Sequence, residues 1–171
     1  MRPECEPTEA SRILAAVAEH YARALQEDLG PNLVSVVLYG SVARGEATVN
    51  SDIDLLVVCE ELPRGRFARL ARLEAGERCA TADMVALRSR GIDTRLSVVI
   101  RTRAEAQHAA PLYLDMVQDA RLLYDRGGFF ASVLGRLRER LLELGAERRQ
   151  RGLVRYWILK RDFTPGEVIE L

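Results

Sequence analysis

Cysteine and histidine are scarce in this sequence, which has three cysteines and two histidines among 171 residues. Cys5, Cys59 and Cys79 are odd in number and widely separated, so neither a disulfide framework nor a zinc-binding spacing can be built from them. We expect three free thiols, two of them buried. His20 and His108 each lie alone in a helical pattern, which is typical of surface or packing residues, so neither has a predicted role.

Long apolar runs are also absent. No segment approaches the roughly 20 apolar residues that a membrane span needs. The first ten residues, MRPECEPTEA, lack the apolar centre of a secretory signal peptide. The sequence therefore predicts a cytoplasmic protein that makes no contact with a membrane.

An excess of one charge is missing as well, because 25 basic residues balance 25 acidic ones. This balance gives no support for non-specific nucleic-acid binding by the chain as a whole. One region is locally basic, since the stretch from Arg136 to Arg161 holds nine basic residues and three acids. That stretch either receives RNA phosphates or an acidic partner protein, or is a solvated helix face, and the pattern favours the helix face.

The order of predicted elements indicates an α/β (α+β) fold in which helices flank one mixed β-sheet within a single domain. Residues 1–126 would form the core, and residues 127–171 would add a C-terminal helix and an extended tail packed on it. The apolar patterns and capping signals predict the following elements: a helix from Thr8 to about Gln26, strands Leu33–Tyr39, Ile53–Cys59, Thr94–Thr102 and Ala120–Tyr124, a long helical stretch from Pro63 to Arg90, a short helix capped by Thr102 and Glu105, an apolar segment opened by Pro111, and a helix from Gly128 to Leu144. In the tail, RYWIL is predicted as a strand or an extended arm that a turn at Thr164-Pro165-Gly166 closes. Its Tyr156, Trp157 and Ile158 pack against this chain or against a second subunit of a homo-oligomer.

The most informative segment is VVLYGSVARGEATVNSDIDLLVV, residues 36–58. A strand ends at Gly40-Ser41, where the absence of a Cβ at Gly40 lets the backbone approach a ligand and Ser41 begins a short helix. Asp52 and Asp54 then stand two apart on the next strand, so that both carboxylates lie on one face. A carboxylate pair facing a phosphate-binding turn suits Mg²⁺ bound to a nucleoside triphosphate.

Each part of this motif also has a purely structural interpretation. Gly-Ser between apolar runs is commonly a turn, and Ser51 before Asp52 is commonly a cap. The combination favours function, because two carboxylates on one strand face repel each other unless a cation lies between them. Arg44, one helical turn after Ser41, either adds a cationic fork to the phosphates or pairs with the aspartates.

Gly40-Ser41, Arg44-Gly45 and Ser51-Asp52-Ile53-Asp54 resemble the motif of the DNA polymerase beta-type nucleotidyltransferase superfamily, in particular its small stand-alone members. The resemblance implies that Gly40, Ser41, Arg44 and Ser51 bind the nucleotide and that Asp52 and Asp54 hold one or two Mg²⁺ ions. It also implies a third carboxylate from a later strand. The predicted third strand has no acid at its centre, near Ser97. Asp93 either supplies the ligand from the start of that strand or is a turn residue after Gly91, and Asp83 and Asp115 are the remaining candidates.

The function that follows is Mg²⁺-dependent transfer of a nucleoside monophosphate, in the first place AMP from ATP, to a hydroxyl of an unidentified acceptor, with release of pyrophosphate. The resemblance implies a possible antitoxin role beside a helical partner of the HEPN class. One alternative is a nucleotide-binding or regulatory subunit with weak or no catalysis. Another is an RNA-binding accessory protein that uses the basic stretch.

Overall fold

The computed structural model describes residues 6–152, 154–162, 164 and 169. Its helices are α1 (Glu9–Leu29), α2 (Gly40–Ala43), α3 (Arg66–Ala71), α4 (Glu74–Arg88), α5 (Arg103–Ala106), α6 (Pro111–Asp119) and α7 (Phe129–Glu143). Its strands are β1 (Leu33–Tyr39), β2 (Ile53–Cys59), β3 (Leu96–Thr102), β4 (Arg121–Asp125), β5 (Glu147–Arg151) and β6 (Val154–Ile158). Short 3₁₀ segments span Gly30–Asn32 and Arg126–Gly128.

Four strands form a mixed sheet in the order β3-β2-β1-β4, which confirms the predicted sheet type. Strand β2 is antiparallel to β1 and parallel to β3, and β1 is antiparallel to β4. Strands β5 and β6 pair antiparallel in a separate two-stranded sheet, so the prediction of one sheet was incomplete.

Helices cover both faces of the four-stranded sheet. Alternate residues of β2, from Ile53 to Cys59, pack in one core cluster with α1 and α4. Leu56 and Val58 belong to a second cluster, which α6 and α7 complete. Because strand residues alternate between faces, Asp54 lies on the same face as Leu56, the side that α6 and α7 cover.

Helix α1 begins as predicted, since the Thr8 hydroxyl accepts a hydrogen bond from the Ser11 amide at 3.0 Å. It ends at Leu29, three residues beyond the predicted Gln26. Its start is joined to the loop after α2, because the Thr8 amide donates to the Gly45 carbonyl at 3.0 Å and the Thr8 hydroxyl to the Ala47 carbonyl at 2.8 Å. The Thr102 and Glu105 capping box at the start of α5 is also confirmed.

Two predictions for the helices need correction. The stretch from Pro63 to Arg90 is not one helix, because the helical conformation is interrupted at Arg72 and Leu73, between α3 and α4. The Leu73 side chain is fully buried there. The basic stretch is only in part a helix face. Arg136, Arg138 and Arg140 lie on α7, whereas the arginines of residues 148–155 lie on β5 and β6.

In the tail, the predicted strand is β6, and Trp157 packs against the core cluster of α6 and α7 while Tyr156 is exposed. The predicted turn residues Pro165 and Gly166 lie outside the described residues. Cys59 is buried and Cys79 is partly buried, and Cys5 lies outside the described part of the chain. Within the residues that the structure describes, no helix is both long enough and apolar enough to span a bilayer.

Candidate functional site

Gly40 is the residue around which the site is built. It follows β1 with a φ of +73°, a conformation that favours glycine. A Cβ added at this position would lie 2.2 Å from Asp54 Oδ2, far inside van der Waals contact. The backbone at the start of α2 therefore lies directly against the Asp54 carboxylate, and only glycine permits this approach.

Asp52 and Asp54 stand at the start of β2. Asp52 is exposed just before the strand, and Asp54 is half-buried within it. Asp54 is flanked on both sides, because it pairs with Tyr39 of β1 and with Ser97 of β3. The Ser97 side chain, next to Asp54 across the β2–β3 register, lowers the pKa of the Asp54 carboxyl. Ser97 thus occupies the position beside Asp54 where the sequence lacked a third acid.

The electrostatics of this pair disfavour two negative charges. Burial raises the pKa of Asp54, and the charge of Asp52 raises it further, whereas the neighbouring Ser97 hydroxyl and the charge of Arg44 lower it. Burial, together with the charges of Asp54 and Asp115, raises the pKa of Tyr39 to about 12. A bound cation would relieve this accumulation of negative charge, so the residues present fit a divalent metal ion.

Arg44 makes a contact that was not predicted. Its Nε donates a hydrogen bond to Glu46 at 2.9 Å, and its positive charge lowers the pKa of Asp54. The other carboxylate oxygen of Glu46 accepts from Arg155 of β6 at 2.5 Å. Glu46 and Arg155 carried no signal that sequence reasoning could use, since 109 residues separate them.

Ser51 forms part of the turn that presents Asp52. Its hydroxyl accepts a hydrogen bond from the Thr48 amide at 2.9 Å, and its carbonyl accepts one from the Thr94 hydroxyl at 2.7 Å. These contacts join the turn to the chain that leads into β3. The half-buried Ser41 lies in α2, and its carbonyl accepts from the Glu46 amide at 2.9 Å.

Asp93 lies in the loop before β3, where its carboxylate is 3.5 Å from Arg88 and 66% exposed. Its amide donates to the Val49 carbonyl at 2.9 Å. Within the described ranges, no third acid, histidine or cysteine groups with Asp52 and Asp54 as a three-ligand cluster. Of the other candidates, Asp83 bonds to His20 at 2.8 Å, and Asp115 is exposed on α6.

Comparison with known proteins agrees with this geometry. Residues 19–106, just over half of the chain, match the model of the nucleotidyltransferase domain family. The chain belongs to this family. The matched range includes α2, Asp52, Asp54 and the whole of β3. The predicted enzyme class, a nucleotidyltransferase, is thereby confirmed.

Individual relatives of this nucleotidyltransferase are distant. A protein of Methanocaldococcus jannaschii with the provisional name protein adenylyltransferase is 27% identical over 129 residues, 74% of this chain and 82% of the relative. A chain from a toxin–antitoxin crystal structure with AMP-PNP is 19% identical, with a TM-score of 0.44, covering 74% of this chain and 92% of that one. A chain from a Shewanella oneidensis complex of a tri-AMPylated HEPN toxin with its MNT antitoxin is 18% identical, with a TM-score of 0.40 and coverage of 76% and 92%.

Proposed function

We propose that this nucleotidyltransferase transfers AMP from ATP to a hydroxyl group of a protein. The acceptor oxygen forms a bond to the α-phosphorus, the bond from that phosphorus to the β-phosphate bridge breaks, and pyrophosphate leaves while the hydroxyl proton passes to solvent. The observation that carries the proposal is the contact between the Gly40 backbone and Asp54, because it puts an anion-binding turn against a metal-binding carboxylate. The adenylyltransferase name of the Methanocaldococcus relative supports AMP and a protein acceptor.

Each site residue has a part in this proposal. Asp52 and Asp54 would hold one or two Mg²⁺ ions, and Gly40 and Ser41 would hold the β- and γ-phosphates at the start of α2. Mg²⁺, when bound, would neutralise charge on the triphosphate and polarise the phosphoryl group. Arg44 pairs with Glu46 and would exchange that pair for the phosphates when the nucleotide binds. Ser51 holds the turn that presents Asp52.

Asp93 is not part of the proposed site. Its carboxylate faces Arg88, and its exposure is that of a surface residue. An exposed ion pair of this kind adds little to the free energy of unfolding, so removing the Asp93 carboxylate should change stability little. Asp93 therefore serves as a matched control for Asp54.

Ser97 supports a second candidate function. A hydroxyl stands beside Asp54 where the superfamily motif implies an acid, and a hydroxyl contributes no negative charge to a second metal ion. A protein with this arrangement would bind Mg-ATP and transfer AMP slowly or not at all, as a regulatory subunit. The two candidates predict the same nucleotide binding and differ in pyrophosphate release.

The test uses α-labelled ATP and Mg²⁺ with the wild-type protein, Asp54→Asn and Asp93→Asn. A helical HEPN-class protein, the partner implied by the sequence motif, is the first acceptor to offer. We expect labelled acceptor and pyrophosphate with the wild type, a loss of more than about 100-fold with Asp54→Asn, and less than about a threefold loss with Asp93→Asn.

Three other outcomes would change the interpretation. Equal losses in the two variants would return Asp93 to the metal site. Mg-ATP binding by calorimetry without pyrophosphate release, for any acceptor offered, would favour the regulatory subunit. In that case Ser97→Asp, which adds the missing acid, should create measurable transfer if the absence of the acid is the cause.

A further inference from the structure

We propose that the interface between α1 and α4 carries a second metal site, specific for a transition-metal dication of the zinc type, with His20, Cys79 and Asp83 as ligands. A nitrogen of His20, the sulfur of Cys79 and an oxygen of Asp83 all lie within 4.8 Å of one another. Cys79 and Asp83 are four residues apart on α4 and so share one helix face, and His20 comes from α1. His20 is exposed and the other two are partly buried, so an ion can enter from solvent.

The spacing of these ligands follows from unusually close packing of the two helices. A Cβ at Gly76 of α4 would lie only 2.7 Å from Tyr21 Cε2 on α1. Gly76 precedes Cys79 by one helical turn, and Tyr21 is adjacent to His20. The tight contact therefore lies within one helical turn of His20 and of Cys79, and it holds the two helices at a close separation.

The donor set identifies the class of metal. Imidazole nitrogen, thiolate sulfur and carboxylate oxygen are the ligands of Zn²⁺ and similar ions, whereas Mg²⁺ prefers oxygen and retains its waters. Three protein ligands leave the fourth tetrahedral position for water. His20 Nδ1 and Asp83 Oδ2, now 2.8 Å apart, form a hydrogen bond that an ion would replace.

Binding at this site would release a proton. Burial raises the pKa of the Cys79 thiol, the charges of Asp83 and Glu27 raise it further, and the charge of Arg23 lowers it. The thiol is therefore protonated at neutral pH without metal, and a bound ion must displace that proton.

The site is separate from the Asp52 and Asp54 pair. Helix α1 is joined at Thr8 to the loop that follows α2, and His20 lies twelve residues further along, about 18 Å at the helical rise. An ion here would tie α1 to α4 and thereby secure the helix that supports the nucleotide-binding turn. Its role would be structural or regulatory.

Titration of the full chain with Co²⁺ tests this site, because a Co²⁺–thiolate bond gives a near-ultraviolet charge-transfer band that oxygen ligands do not. We expect one equivalent of Co²⁺ to produce the band, Zn²⁺ to remove it and raise the unfolding midpoint, and Mg²⁺ to do neither. Cys79→Ser should abolish the band, and His20→Gln and Asp83→Asn should each weaken binding by more than about tenfold.

The chain supplies matched controls in its other histidine and another cysteine. His108→Gln and Cys5→Ser should leave the thiolate band unchanged, as should Asp52→Asn with Asp54→Asn. His20→Gln changes an exposed side chain, so it tests the site even if Cys79→Ser fails to fold. Absence of the thiolate band, its persistence in Cys79→Ser, or unchanged affinity in folded His20→Gln would each overturn the proposal.

Discussion

Asp54 illustrates how a residue of the proposed metal site can lower the stability of the metal-free protein. Its carboxylate is half-buried, and the charge of Asp52 repels it. A Cβ added at Gly40 would collide with this carboxylate. Burial and this repulsion raise its pKa, so folding disfavours its charged form. The residue is suited to a bound cation and poorly suited to the absence of one.

Asp54→Asn should therefore stabilise the metal-free protein at neutral pH. Because the pKa is higher in the folded state than in the unfolded state, wild-type stability is lost as pH rises through the ionisation of Asp54. Asparagine has no such ionisation, so the difference should vanish at acidic pH, where Asp54 is protonated in both states. Thermal unfolding in EDTA, from acidic to neutral pH, measures this difference in stability between the wild type and Asp54→Asn.

Added Mg²⁺ should reverse this order, because a ligand that binds only the folded wild type raises its unfolding midpoint. A variant that is less stable than wild type in EDTA at neutral pH would contradict the assigned electrostatics.

At the scale of elements, the start of α7 depends on one carboxylate from the end of β4. Asp125 accepts hydrogen bonds from the amides of Phe130 at 2.9 Å and Ala131 at 3.0 Å, and from the hydroxyl of the buried Ser35 at 2.6 Å. It thereby caps α7 and joins that helix to the central strand β1.

Asp125→Ala should lower the free energy of unfolding by about 1–3 kcal/mol, because it leaves a buried hydroxyl and two helix-start amides without their acceptor. Urea denaturation gives this difference. The exposed Asp28 of α1 provides a matched control, and Asp28→Ala should change the free energy by less than about 0.5 kcal/mol. Similar effects of the two substitutions would show that the Asp125 contacts are not stabilising.

The elements that the sequence predicted correctly have local signals. Thr8 bonds three residues ahead, and Thr102 and Glu105 cap each other across the same distance, so a short window contains the whole interaction. The break between α3 and α4 has no such signal, since neither glycine nor proline marks it and burial of Leu73 accompanies it. Strand β5, with the sequence ERRQR, has no apolar alternation and is recognisable only from its pairing with β6.

For the whole molecule, Glu46 connects the proposed nucleotide-binding turn to the C-terminal hairpin. It pairs with Arg44 in the loop after α2 and with Arg155 of β6, and each arginine side chain is only 20% exposed. Burial would raise the pKa of Glu46, but hydrogen bonds from Arg155 and Arg44 prevail and lower it. The carboxylate therefore neutralises two cations near the proposed phosphate site.

Glu46→Gln should tighten ATP binding, because Arg44 and Arg155 would both keep their charge without their shared anion. The expected gain is up to about fivefold, the range of one ion pair at the protein surface, and calorimetry with Mg-ATP measures this gain. Glu60→Gln is the matched control, since Glu60, which directly follows the end of β2, also bridges two arginines, Arg103 and Arg126. Equal affinities in the two variants would exclude Glu46 as a competitor for Arg44.

For the site, as for the helices and strands, the parts with a local sequence signal were predictable and the parts that depend on distant segments were not. Gly40, Ser41, Asp52 and Asp54 lie within fifteen consecutive positions, and the strand period alone puts the aspartates on one face. Their environment depends on other parts of the chain: Ser97 comes from a parallel neighbour strand and Arg155 from the tail. Pairing between such distant segments is decided by tertiary packing, which no short window of sequence contains.

The close approach of Gly40 to Asp54 also determines the order in which mutations can accumulate. While aspartate occupies position 54, even one added carbon at position 40 meets a carboxylate oxygen. Once a shorter residue replaces Asp54, that barrier is removed and only the backbone conformation still favours glycine. In a lineage that loses activity, the aspartate should therefore change before the glycine, so that glycine with an altered position 54 marks an early stage of decay.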